Sequence, residues 1–153
     1  MRFELPFSVT GFGMDHADAD IAARREAFLS WARAVGHSRN SGVVDVAPAE
    51  DSPSFDAVHL EAIDRWLLHN RYISLVGVLT VAPVPGDAWA VAGEYVDLWL
   101  PEHVSDWGPT VVDGTALNAH LESGLDGLGL GAQEQAERYK PQTVGHVIFN
   151  YWQ

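Results

Sequence analysis

The stretch YISLVGVLTVAPVPGDAWAVAGEYVDLWL, residues 72–100, decides the fold class. Tyr72 to Ala82 and Ala88 to Leu100 are rich in β-branched and aromatic residues. Between them Val84-Pro85-Gly86-Asp87 has the chemistry of a turn, proline fixing φ at one corner and glycine easing the next. The segment predicts two long antiparallel strands. In the second strand, alternation places Ala90, Ala92, Glu94, Val96, Leu98 and Leu100 on one side and Trp89, Val91, Gly93, Tyr95, Asp97 and Trp99 on the other. Neither side is simply solvated, since both are largely apolar. The aliphatic side suits a core covered by helices, as do Ile73, Leu75, Leu79 and Val81 of the first strand.

N-terminal to this hairpin, Arg2 to Val9 alternates as a half-buried strand, with Pro6 placing it at an edge. A helix is predicted from about Asp18 to Val35, its apolar stripe formed by Ile21, Phe28, Trp31, Ala32 and Val35 and its stop by Gly36. A short strand fits Val43 to Val46. Ser54 then reads as the cap of a second helix with Phe55, Val58, Ile63, Trp66 and Leu67 on one face. C-terminal to the hairpin, a third helix fits Thr115 to about Leu125, a helical piece fits AQEQAERYK up to Pro141, and VGHVIFNYWQ reads as a final strand. The order implies an α+β fold: a mainly antiparallel sheet of about 4–5 strands with 3–4 helices packed chiefly on one face, in a single compact domain over 1–153.

Composition narrows the function classes. The chain has 153 residues, 47% of them hydrophobic, which suffices for a core without covalent staples, and it has no cysteine, so no disulfide, thiolate metal site or cysteine nucleophile can form. No apolar run approaches the roughly 18 residues of a membrane helix and no signal-like leader is seen, so the expectation is a cytoplasmic protein. The formal net charge of −12 argues against nucleic acid and anionic membranes as partners. Its distribution is uneven. Between Arg71 and Arg138 there is neither lysine nor arginine, while Asp87, Glu94, Asp97, Glu102, Asp106, Asp113, Glu122, Asp126 and Glu134 all fall in that interval.

The candidate motifs resolve mostly to structure. In DHADAD, residues 15–20, the carboxylates suit the first turn of a helix, where they cap free N–H groups and complement the dipole. His16 and Asp20, four residues apart, would still need further ligands to hold a metal. Gly11-Phe12-Gly13 leads into carboxylates that would repel phosphate, and Gly127, Gly129 and Ala132 follow a helix where a nucleotide fingerprint needs a strand. No cofactor is implied. His103 stands with Glu102 and Asp106 in PEHVSDW, a loop after a long strand, where catalytic groups often sit.

The polar-aromatic side of the 88–100 strand leaves three readings: a second core, a protein-binding surface, or a small-molecule pocket. The favoured one is a small acidic, non-enzymatic binding module, most like a bacterial immunity or antitoxin-type inhibitor that masks a basic partner such as a cationic toxin or nuclease. Tyr95, Trp99 and Trp107 would anchor the partner while Asp97, Glu102 and Asp106 pair with its cations. The alternative is a small cofactor-independent cyclase, isomerase or hydrolase, with Asp97, His103 or Glu94 as the acid-base group of an aromatic-lined pocket; a carboxylate desolvated there would have its pKa raised. Self-association is left open. A deep closed pocket would favour catalysis, and an open acidic patch binding.

Overall fold

The computed structural model describes residues 18–46, 54–86, 90–121 and 130–151. The predicted strand at 2–9, the residues Asp15 and His16, and the glycines 127 and 129 lie outside these residues. Helix α1 spans Asp18–Ser38 and buries Phe28, Trp31, Ala32 and Val35, residues spaced to fall on one face. Its last turn runs past the predicted stop at Gly36, and Asn40, at φ 51, then turns the chain into strand β1, Val43–Val46.

The predicted second helix is a β-hairpin. Strands β2 (Phe55–Leu60) and β3 (Arg65–Asn70) pair antiparallel from Phe55 opposite Asn70 to Leu60 opposite Arg65, around a turn in which Asp64 adopts φ 52. The same apolar residues satisfy both periods because these strands are buried on both faces. Phe55, Ala57 and Leu68 join one core, and Val58, Leu60 and Leu67 the other.

Strand β4 (Leu75–Leu79) lies beside β3, and β5 (Tyr95–Val96) pairs antiparallel with β4 through Val78 opposite Val96 and Leu79 opposite Tyr95. The predicted 72–82/88–100 pairing is thus present but short, prolonged by a bridge between Pro85 and Val91. Beyond Val96 the chain leaves the sheet, forms α2 (Glu102–Ser105) and returns as β6 (Thr110–Val111), parallel to the other end of β4. One margin of β4 therefore serves two partners, in the order β1-β2-β3-β4-β5 with β6 also on β4.

Three helices, α3 (Gly114–Asn118), α4 (Leu130–Tyr139) and α5 (Val144–Ile148), contribute to the core on one face; α1, the longest, and α2 contribute to the other. Both faces of the sheet are thus cores, and the predicted sides are matched the other way round: Leu79 shares a core with Tyr95, and Val76 and Val78 share the other with Val96. The first half of the predicted C-terminal strand is α5, capped by Thr143, whose hydroxyl accepts the His146 N–H at 3.2 Å, followed by a bridge from Asn150 to Ala90. Buried amides tie this end to the β2–β3 hairpin. Asn70 Nδ2 donates to the Ile148 carbonyl at 2.7 Å, and Ser54 Oγ both donates to that carbonyl at 2.9 Å and accepts the Asn150 N–H at 3.0 Å. Among the described residues no helix is long and apolar enough to cross a membrane.

Candidate functional site

The excursion between β5 and β6 builds a groove. Pro101 starts α2 with an extended φ of −67 and ψ of 154, and the buried Val104 docks that turn on α1, its carbonyl accepting the Trp31 Nε1–H at 3.1 Å. The return stroke passes so near Trp31 that only glycine fits. Gly108 has φ 81, and a Cβ there would stand 2.4 Å from Trp31 Cδ1. Gly108→Ala is therefore expected to cost about 2 kcal/mol, combining left-handed strain with overpacking, measured as a shift in urea unfolding.

The groove has a volume of about 530 Å³, with Trp31 beneath it and Asp97, Trp99, Asp106, Trp107 and Asp113 among its walls. Leu98 and Leu100, read from the sequence as core, also border it while packing partly on the α1 core. Trp99 is 74% exposed and Trp107 45% exposed. The Trp107 indole N–H donates to the His103 carbonyl at 3.0 Å. Arg39, from the end of α1, donates to the Trp99 carbonyl and holds its guanidinium carbon 5.8 Å from the Trp99 ring centroid.

Four of the six residues expected to contact a partner, Asp97, Trp99, Asp106 and Trp107, thus meet in one groove. Glu102 is exposed on α2 but outside the lining. Tyr95 is a correction: it is 4% exposed, so it cannot anchor a partner. Its ring packs 5.5 Å from that of Phe149 and against Gly145, where a Cβ would meet Tyr95 Cε2 at 2.6 Å. Its backbone is locked to Asn118 by two bonds of 2.9 and 2.7 Å. Burial, and then the neighbouring Tyr151, push its hydroxyl well above the usual pKa of 10.0.

Of the three acid-base candidates only Asp97 borders the groove. Asp97 is exposed and accepts the Gly114 N–H at 2.7 Å, while Asp113 accepts the Ala116 N–H at 2.8 Å. Both carboxylates brace the start of α3. Glu94 and His103 are exposed and neither borders the groove. Among the described residues the histidine–carboxylate pair in contact is His59 with Asp64, 2.9 Å apart at the β2–β3 turn. No group of three metal-ligating side chains occurs among the described residues. A smaller cavity of about 280 Å³ is lined by Lys140, Gln142 and His146, whose Nδ1 accepts the Gln142 N–H at 3.1 Å and whose pKa burial lowers.

Sequence reasoning missed Trp31 and Gly108 as parts of the groove. Trp31 had been absorbed into the helix stripe, and the signal that could have found Gly108 was a lone glycine between tryptophan and proline in DWGP. Comparison with protein-family models, with curated proteins and with solved structures gives no significant match.

Proposed function

We propose that the chain is a binding protein that masks a basic segment of a partner protein, in the manner of an immunity or antitoxin-type inhibitor, with the groove as its contact surface. The observation that carries this reading is the setting of two exposed tryptophans among three carboxylates, with no lysine or arginine among the described residues of the lining. Large exposed indoles are costly in water and are enriched where binding energy concentrates. The carboxylates around them would steer and orient cations. Inhibition would be steric and electrostatic, needing no covalent step.

The test is fluorescence anisotropy of a dye-labelled arginine- and lysine-rich peptide titrated with the protein, beside a glutamate-rich peptide of equal length. Binding of the basic peptide alone is expected, weakened at least about tenfold between 20 and 300 mM salt. The double variant Trp107→Ala/Asp106→Asn should cost about tenfold or more, since both side chains are exposed and their loss leaves the cores intact. Equal binding of the acidic peptide, or binding indifferent to salt, would count against the proposal.

A further inference from the structure

We propose that Trp99 and Trp107 make the groove a seat for arginine rather than lysine, an inference that rests on the basic-partner reading above. Trp99 already forms such a pairing within the protein, with the Arg39 guanidinium carbon 5.8 Å from its ring centroid at the rim of the groove. The same guanidinium donates to the carbonyl of Trp99, so one planar cation meets both a π face and an oxygen acceptor.

The state of the indoles points the same way. The Trp107 N–H is engaged by the His103 carbonyl at 3.0 Å and the Trp31 N–H by the Val104 carbonyl at 3.1 Å. Trp107 therefore has no donor left for an incoming acceptor, and what it offers is its π face, which attracts cations and planar groups. Arginine answers both features of the groove. Its guanidinium is planar, weakly hydrated and able to stack on a ring while its in-plane N–H groups pair with a carboxylate. Lysine is a compact, strongly hydrated charge that can meet Asp97, Asp106 or Asp113 but gains less from the rings.

Labelled hexa-arginine and hexa-lysine peptides, titrated into the full chain at low salt, separate the possibilities. Hexa-arginine should bind about fivefold or more tighter than hexa-lysine, as one or two exposed cation–π contacts imply. In the double variant Trp99→Ala/Trp107→Ala, with its fold checked by circular dichroism, the ratio should fall to within about twofold of unity. Equal affinity of the two peptides for the native protein, or an arginine preference that survives in the double variant, would overturn this selectivity while leaving the basic-partner reading standing. Failure of both peptides to bind would overturn that reading and this inference with it.

Discussion

Trp31→Ala is expected to destabilise the protein by about 3–5 kcal/mol and to abolish binding of basic peptides. The side chain is 1% exposed and belongs to the core that α1 makes with the sheet. It does three things at once: it fills that core, it holds α2 through the Val104 carbonyl, and Gly108 rests against its ring. Truncation would leave a cavity larger than its neighbours can close and would strand a buried carbonyl. Trp31→Phe separates the contributions, since it keeps most of the volume and removes the donor; a loss of about 1–2 kcal/mol is expected from that variant. Urea unfolding of the three proteins is the measurement. A cost below about 1 kcal/mol for Trp31→Ala would mean that the groove floor is not part of the cooperative core.

Acidification provides the second large effect. His69 is buried, its ring stacked on Phe28 with centroids 4.7 Å apart, and its Nδ1 has no hydrogen-bond partner among the described residues. Burial foremost, and then the charge of Arg24, lower its pKa from 6.5 to about 4. In the unfolded chain the ring takes up its proton near 6.5; in the folded protein it does not until about 4. Across that window the unfolded state binds more protons, so the stability due to the neutral ring is full above pH 6.5 and is lost as pH falls to about 4. The interval corresponds to about 3 kcal/mol.

His146, whose pKa burial also lowers, adds a contribution of the same sign. Asp56 opposes them. Its pKa is raised above 3.8, chiefly by burial and against the pull of Arg71 at 3.2 Å, so protonation near the acid end favours the folded state. Urea midpoints from pH 7.5 to 4.5 should therefore fall steeply in the native protein and much less in His69→Phe, which retains the flat stack on Phe28. Parallel slopes in the two proteins would refute the assignment to His69.

The features that sequence made legible were those where one period stands alone. Phe28, Trp31, Ala32 and Val35 admit a helix and nothing else, and Val43–Val46 stands where it was expected. The hairpin of residues 55–70 was misread because burial on both faces erases the polar half of the alternation. Phe55, Val58 and Leu67 then match a helical stripe as well as a strand. Residues 144–148 erred in the opposite direction, for Thr143 caps a short helix inside what looked like alternation.

At the site, Asp97 and Trp99 were picked out by alternation along the predicted 88–100 strand, and Asp106 and Trp107 from the loop that follows it, where such residues collect. Tyr95 was grouped with Trp99 by an alternation that presumes a strand through residue 100. Strand β5 ends at Val96, so the count fails there, and one aromatic turns inward and the other outward.

The shared margin of β4 makes the groove-bearing segment a replaceable cassette. Residues 97–109 depart from the partner of Val78 and Leu79 and return to the partner of Leu75 and Val76. Both stumps of the excursion are thus clamped by one ladder, and the sheet, not the excursion, brings them together. Closing a chain between fixed ends becomes only about 0.6 kcal/mol harder with each doubling of its length. Outside Asp97, Leu98, Leu100, Val104 and Gly108, which tie the segment to α3, to the α1 core and to Trp31, this stretch can be lengthened or rewritten at small thermodynamic cost, so new binding preferences can be acquired here without rebuilding the fold.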